Sequence, residues 1–358
     1  MRVSLLTSAR TWRGSTVSLA HIATGLVARG HLAELLTGEE SVAEIARGMG
    51  LAATALPTRN TGVAEVLALR RALARSRAEA LISDRPRDLR LGAMASVGRR
   101  LALIYRYNVS RPRPPSDLVT RLSYRRVAVT VFRSQAGADQ VLAAAPFMAG
   151  RPWRVITGGV DTTTYFPDPA AGEAFRLRHR LGQQPFLLAV GALMPEKRYP
   201  ELFAAVAKLA GPPPLLIFGE GRMEEELKSL ASRLGLDVRF AGLVPPAELR
   251  AAFAAATAVI HACKVETFGL SVAEAMACGK AVVVTEGGAL DEVVGDAGIV
   301  VPGDDPEIFA RRLQPVLGDA ALRDRLGSAA RQRSVSRYSV THVVDEYDQL
   351  LSQLGAAR

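Results

Sequence analysis

The sequence predicts a parallel α/β protein made of two similar halves. Three observations carry that prediction. Short apolar runs alternate with amphipathic helical segments along the whole 358-residue chain. The alternation breaks near residue 160 and then starts again. A composition that is 49% hydrophobic and 22% charged supplies enough core for two domains and excludes a disordered chain. The longest notable uncharged apolar stretch, Ala251 to Cys263, is shorter than the roughly 20 residues needed to cross a bilayer. Only Val3 to Ala9 separates Met1-Arg2 from Arg10, so no secretory leader is read. The two cysteines, Cys263 and Cys278, form no disulfide framework, and a cytoplasmic protein is expected.

The elements follow in order. Val3-Ser4-Leu5-Leu6-Thr7 reads as the first strand, followed by a polar loop containing Gly14-Ser15 and a helix from about Val17 to Ala28, closed by Arg29-Gly30. His31 to Leu36 holds the next strand. An Arg- and Ala-rich helix spans Glu65 to Ala78, and Ala80 to Ser83 is a buried strand ending at Asp84. Leu101 to Tyr107, Val127 to Phe132 and Val155-Ile156 complete the first series. Asp161 to Gly172, with Pro167 and Pro169 and no apolar periodicity, reads as a linker. The second series has strands at 185–191, 214–218, 238–240, 258–261, 281–284 and 299–301. Helices are expected at 223–234, 246–255 and 271–277, with a long amphipathic helix over Ser339 to Leu354.

Net charge is +10, and it is divided unequally. Residues 1–165 hold 24 Arg and no Lys against 11 acids, whereas residues 166–358 carry a slight acidic excess. Within Arg85 to Arg133 stand 12 Arg and only two acids, Asp88 and Asp117. Arg-for-Lys replacement in a GC-rich genome accounts for the choice of base but not for the imbalance. Such a field favours nucleic acid, an acidic membrane surface or a phosphorylated acceptor. Tyr105, Tyr107, Tyr124 and Phe132 interleave with these arginines, a pattern that serves nucleic acid or a strand core equally well.

The segment Glu266-Thr267-Phe268-Gly269-Leu270-Ser271-Val272-Ala273-Glu274 is the sharpest in the chain. It places one carboxylate in a loop after a strand and a second on the helix that Phe268-Gly269-Leu270 opens. A helix N-terminus offers unpaired N–H groups to phosphate, and Gly269 lets a ligand approach the backbone. Two acids beside an anion site suit the hydroxyls of a sugar. Around this segment stand Ala275-Met276-Ala277-Cys278-Gly279-Lys280 and Gly287-Gly288-Ala289-Leu290-Asp291-Glu292. Further pieces occur in order: Val190-Gly191-Ala192-Leu193-Met194-Pro195-Glu196-Lys197, Phe218-Gly219-Glu220-Gly221, Phe240-Ala241-Gly242-Leu243-Val244-Pro245 and Ala297 to Asp304. Weaker signals are Arg29-Gly30-His31, and Gly159-Val160-Asp161 with Phe166-Pro167. Over residues 155–310 the chain closely resembles the retaining GT-B glycosyltransferases of family 4.

That resemblance implies two Rossmann-like β/α/β domains facing across a cleft. Residues 1–165 with the C-terminal helix 337–358 would bind the acceptor, and residues 166–336 the nucleotide-sugar. It implies sugar transfer from a nucleoside-diphosphate sugar to a hydroxyl acceptor, such as a glycan, a glycolipid or a phosphorylated compound of the cell envelope. No cofactor or metal is implied, because no D-x-D or His/Cys set stands at metal-ligand spacing. Lys197 would neutralise the diphosphate as the glycosidic bond breaks. Glu266, with the backbone of Phe268, Gly269 and Leu270, would hold sugar and phosphate, and Glu274 the ribose. Gly191, Gly219 and Val244 would border the nucleotide. Glu266, Lys197 and Asp84 form the candidate catalytic set, and Gly14, Asp84 and Arg85 the candidate acceptor set.

The chain departs from the family pattern at four places, one being Gly158 where relatives have Asn at the interdomain turn, a position at which glycine still permits the bend. Ala192 stands where relatives have a phosphate-binding Arg, leaving Lys264, Arg198 or a first-half Arg as substitutes. The loop Ser8-Ala9-Arg10-Thr11-Trp12-Arg13-Gly14-Ser15 lacks a Gly-Gly pair. Asp84-Arg85 follows a strand where relatives carry His; Asp84 either serves the acceptor at the strand end or caps the next turn. His21, His31 and His261 are expected in core or cleft-wall positions, and Cys278 as buried and inert. A non-catalytic sugar-nucleotide or polyanion binder that kept the fold is the alternative. Nucleic acid is ranked last for want of any known motif. The basic first half is expected to meet an anionic partner, which includes the inner face of the membrane.

Overall fold

The computed structural model describes residues 1–12, 14–58, 60–108 and 113–356; Arg13, Arg59 and Arg111 lie outside the described residues. The chain divides into two compact units, one of residues 1–159 with 340–358 and one of residues 160–339.

In the first unit, strands β1 (Arg2–Thr7), β2 (Leu32–Thr37), β3 (Ala52–Ala55), β4 (Ala80–Ser83), β5 (Ala102–Tyr107), β6 (Val127–Phe132) and β7 (Trp153–Val155) form one sheet. Between them lie helices α1 (Ser15–Ala28), α2 (Glu40–Gly48), α3 (Val63–Arg75), α4 (Pro86–Ala95), α5 (Leu118–Arg125) and α6 (Gln135–Ala144). The sheet order is β3-β2-β1-β4-β5-β6-β7, every pairing is parallel, and the order reverses between β1 and β4. Alternate residues feed two cores. Val3, Leu5, Ile82 and Ile104 pack against α1 and the C-terminal helix Val340–Ala356. Leu6, Leu81, Leu103 and Tyr105 pack against α3, α4 and α5. Each fully buried aliphatic or aromatic side chain contributes roughly 1.5–3 kcal/mol. Tyr105 and Tyr124 meet edge to face at 5.7 Å inside this second core, so these aromatics are core residues and not a nucleic-acid platform.

The C-terminal helix is held by shape and by charge. Gly25 of α1 lies so close to it that a β-carbon there would sit 2.4 Å from Val344 Cγ2. His31, buried at the start of β2, links the Met1 amino group (3.2 Å) to Asp348 (2.7 Å), so its role is structural.

The second unit repeats the plan with α7 (Pro169–Arg178), β8 (Leu187–Val190), α8 (Tyr199–Ala207), β9 (Leu215–Phe218), α9 (Glu224–Arg233), β10 (Val238–Phe240) and α10 (Pro246–Ala255). It continues through β11 (Ala258–His261), α11 (Leu270–Ala277), β12 (Val282–Thr285), α12 (Leu290–Val294), β13 (Ile299–Val301), α13 (Pro306–Gly318) and α14 (Ala320–Tyr338). Its parallel sheet runs β10-β9-β8-β11-β12-β13. One face packs on α8, α9 and α13 through Phe203, Leu227 and Leu313, the other on α7, α10, α11 and α14 through Phe175, Phe253, Met276 and Ala330. Both units are Rossmann-like.

Two expectations need correction. Residues 161–172 are not a linker. Asp161 accepts from Thr163 N–H (2.9 Å) and Thr164 O–H (2.7 Å) to make a turn, and Asp168 caps α7 by accepting from Ala171 N–H (3.1 Å), with Pro169 at the first helical position. Asp followed by Pro is a helix-start signal, which the proline count obscured. The unit boundaries fall at 159/160 and 339/340 rather than 165/166 and 336/337. Val160 N–H donates to Tyr338 O (2.7 Å), and Tyr165 packs on Phe253, tying 160–165 into the second unit.

The carboxyl end of the first sheet carries a buried carboxyl with a thermodynamic consequence. Both Asp88 oxygens accept from Ser8 N–H at 3.1 Å, and α4 holds the side chain wholly inside. Burial pushes this carboxyl up to about 7, with the Ser8 contacts opposing the rise. Folded chains therefore keep a proton that unfolded chains lose above about pH 4, so this group's contribution to stability falls as pH rises from about 4 to 7. Asp88→Asn keeps an acceptor for Ser8 and removes the titration. Relative to wild type, it should gain on the order of a few kcal/mol between pH 4 and pH 8 in urea unfolding; a pH-independent difference would refute the assignment.

Candidate functional site

In the second unit, the site begins where glycines let two loops touch. β8 ends at Val190, and Gly191-Ala192-Leu193 runs against Gly219-Glu220-Gly221, which follows β9. Leu193 N–H donates to Glu220 O (3.0 Å), and Gly219 N–H to Gly242 O (2.8 Å) in the loop that carries Val244. A β-carbon on Gly219 would lie 1.9 Å from Gly191 O, and its φ of 149° also favours glycine. Val244 is half-buried against the core. Sequence placed Gly191, Gly219 and Val244 near one another, and the fold brings all three loops together.

After Gly191 the chain makes a single 3-10 turn, Pro195–Lys197, which aims Lys197 back beneath the loops. Its ammonium forms an ion pair with Glu266, with both side chains mostly buried. His261, at the end of β11, reaches the same carboxylate oxygen at 3.1 Å. Burial would raise the Glu266 carboxyl, but the hydrogen bond with His261 and the charge of Lys197 outweigh it and hold it well below the usual carboxylate range. Burial would lower the Lys197 ammonium, and Glu266 overcomes that too, leaving it above its ordinary value. His261 therefore belongs to the site rather than to a passive wall; a histidine ending an apolar strand five residues before an acid was the available signal. Cys263 joins it. Ligand atoms of His261, Cys263 and Glu266 lie within 4.8 Å of one another, correcting the expectation that no His/Cys set stands at metal-ligand spacing. Lys197 neutralises the carboxylate of this group.

Helix α11 starts beside the pair. Gly269 at its N-cap has φ 85°, and a β-carbon there would lie 2.5 Å from Leu290 Cδ2. The glycine N-cap offers no side-chain acceptor, and among the described residues no side chain caps this end. Ser271 Oγ donates to Val190 O (3.1 Å), fixing the helix start to the end of β8. Leu270 is half-buried, whereas Phe268 is buried edge to face on Tyr338, so any ligand contact it makes is through backbone. Glu274, one turn along, is half-buried beside the Tyr165 hydroxyl, and loss of water raises its carboxyl to about 8 against that hydrogen bond. Arg198 and Lys264, two candidates to replace an Arg at Ala192, both reach Asp304 Oδ1, at 2.5 and 2.8 Å.

The first-unit candidates lie along a different set of strand ends. Asp84 is fully buried, 3.1 Å from Arg106 Nη1, and its carboxylate oxygens have no hydrogen bond among the described residues. It caps nothing: α4 has Arg85 at its N-cap with no side-chain hydrogen bond. Arg106 Nη2 donates to Ser18 Oγ (3.0 Å), and Ser18 N–H donates to Gly14 O (3.0 Å), so Gly14 and Asp84 are connected through Ser18 and Arg106. Gly14 and Arg85 are exposed. Arg106 escaped sequence reading although an arginine inside Ala102–Tyr107 is conspicuous in an otherwise apolar strand.

Residues 173–333 match the family described as glycosyl transferases group 1. The GDP-mannose-dependent alpha-(1-6)-phosphatidylinositol monomannoside mannosyltransferase of Mycolicibacterium smegmatis is 32% identical over 194 residues, 50% of this chain and 51% of that protein. The D-inositol 3-phosphate glycosyltransferase of Streptomyces bingchenggensis is 36% identical over 195 residues, 49% of this chain and 42% of that protein. The matches thus span about half the length of these curated relatives. Among solved structures, Anabaena HepE in complex with UDP and glucose superposes with TM-score 0.85 at 21% identity, covering 99% of this chain and 100% of that one. The likeness assigns the fold as GT-B.

The doubly contacted Glu266 oxygen yields a stability test. Replacing His261 with Leu removes one donor from a buried carboxylate and should cost about 1–3 kcal/mol in urea unfolding. His261→Gln, with an amide N–H near the same place, should recover most of it. Equal stability of the two variants would refute the contact's importance.

Proposed function

We propose, from the match of residues 173–333 to the family described as glycosyl transferases group 1, that this chain is a retaining glycosyltransferase. It moves a sugar from a nucleoside-diphosphate sugar to a hydroxyl acceptor, a glycan or glycolipid of the cell envelope. The observation that carries this reading is the Lys197–Glu266 pair, set beside glycine loops and an uncapped helix start. Without a donor the ammonium is neutralised by Glu266. A diphosphate draws Lys197 to itself and gains stabilisation as the glycosidic bond breaks and charge builds on the leaving phosphate. His261 stays on Glu266, which is then free to accept from sugar hydroxyls. The α11 N–H groups face phosphate, Glu274 takes the ribose, and Gly191, Gly219 and Val244 border the nucleotide. The relatives' printed names, one GDP-mannose-dependent and one structure holding UDP with glucose, support a nucleotide-sugar donor.

In this reading no metal is required: Lys197 supplies the charge that a cation would otherwise bring. Gly14, Asp84 and Arg85 serve the acceptor, with Asp84 oriented by Arg106. The first unit also meets the membrane. On α5 the apolar side chains Leu118, Val119 and Leu122 are exposed among Arg121 and Arg125, with Arg126 just beyond. Apolar and cationic residues on one short helix suit the interface of an anionic bilayer. No helix among the described residues is long and apolar enough to cross a membrane.

Donor hydrolysis without acceptor, screened with UDP-, GDP- and ADP-sugars, tests the transferase. Lys197→Ala and Glu266→Ala should each lower turnover at least 100-fold, about 2.7 kcal/mol of transition-state stabilisation. If wild type neither turns over a donor nor is stabilised by its nucleotide, the enzyme reading fails. Stabilisation without turnover, in the presence of acceptor extracts, would favour a non-catalytic sugar-nucleotide binder.

Vesicle sedimentation tests the membrane surface. Acidic vesicles should bind wild type more strongly than neutral ones, and Leu118→Ser with Leu122→Ser should reduce that binding several-fold. Equal binding to acidic and neutral vesicles would refute it.

A further inference from the structure

A second polar concavity lies in the first unit, apart from the Asp84–Arg106 pair. Ser8, Arg10, Gly38, Glu39, Thr58 and Arg87 line a cavity of about 250 Å³. Its floor follows the ends of β1, β2 and β3, where Thr7, Thr37 and Ala55 give way to loops. In an open α/β sheet these carboxyl ends are where ligands sit. The floor is rigidly built. Ser8 N–H is held by both oxygens of Asp88, and Gly38 leaves no space for a side chain, since a β-carbon would lie 2.4 Å from Thr58 Oγ1. Ser8 and Thr58 are buried, and the Ser8 side chain hydrogen-bonds Asp88 beneath the floor.

Every lining side chain is polar. Arg87 donates to Thr58 O at 3.2 Å, and among the described residues no carboxylate pairs with it. Arg10 is highly exposed and touches Glu39 at 3.1 Å. Two guanidinium groups, two hydroxyls and one carboxylate make a mixed demand. The cations ask for a planar or tetrahedral oxyanion, and the carboxylate asks for donors. A bare phosphate leaves Glu39 opposed, whereas a polyol phosphate satisfies both.

We infer that this cavity is the acceptor subsite for a phosphate-bearing polyhydroxyl compound, with Arg87 and Arg10 on the phosphate and Glu39 on hydroxyls. The inference rests on the transferase reading and narrows its acceptor. It also gives the uneven charge of the chain a place to act: an anion is attracted to the first unit and met by two of its arginines.

Calorimetric titration of the full chain with glucose 6-phosphate, glucose and inorganic phosphate tests it. Glucose 6-phosphate should bind at least tenfold more tightly than either fragment. Arg87→Gln should weaken it at least tenfold, while Arg75→Gln, at an exposed arginine that ends α3, should change it less than twofold. A parallel arm uses phosphatidylcholine vesicles with and without phosphatidylinositol 4-phosphate. Loss of the phosphoinositide-dependent binding in Arg87→Gln assigns the cavity to a lipid headgroup, and an effect on glucose 6-phosphate alone assigns it to a soluble phosphate. Equal losses in Arg87→Gln and Arg75→Gln would reveal only a diffuse field and overturn the subsite, as would no effect of Arg87→Gln in either arm. UDP and GDP binding, read in the same variants, should be unchanged, so failure at this cavity is separable from failure of the donor site.

Discussion

A parallel sheet covered by helices on both faces confines its polar chemistry to the strand ends. Most side chains through the middle are apolar, with Val3, Leu5 and Ile104 on one face of the first sheet and Leu6, Leu81 and Leu103 on the other. Backbone groups are paired within the ladder. Charge can then be placed where strands stop and loops begin. In the second unit His261, Glu266 and Lys197 stand there, and in the first unit Ser8, Asp84, Arg106 and Asp88.

Charges near such a core must be paired, because a lone buried ion costs several kcal/mol. Each unit solves the problem differently. In the second, Lys197 and His261 share one oxygen of Glu266, so a ligand that draws the lysine away leaves the acid still held. In the first, Asp84 leans on Arg106, whose other nitrogen is fixed to Ser18 of α1. Asp88 takes another course and keeps its proton to about pH 7. The first arrangement suits a site that exchanges partners; the others suit a scaffold held in one geometry.

Much of this was legible before any fold was seen. Strand cores such as Ala80–Ser83 and Val127–Phe132 are short, apolar and bounded by polar residues, so their limits fall where the pattern stops. The Glu266 to Glu274 segment announced a loop acid, a helix start and a helix acid at fixed spacing. Helices α2, α4, α5, α6, α8, α13 and α14 were less visible, because Arg- and Ala-rich surfaces blur the apolar stripe. Helix α7 was hidden by a proline that begins it rather than breaks it.

Sequence alone determined the two parallel α/β series, the unequal charge and the residues that make the donor-side loops. Those properties depend on local pattern and composition, which need no partner. Tertiary structure decided which distant residues meet: Lys197 with Glu266 across 69 positions, Arg106 with Asp84, His31 with Asp348, and Arg10 and Arg87 around one cavity. Strand order sets these meetings, and the crossover that places β4 beside β1 leaves no trace in the spacing of either strand. Which arginines of the basic stretch face solvent, and which one is buried on an aspartate, is therefore a property of the fold.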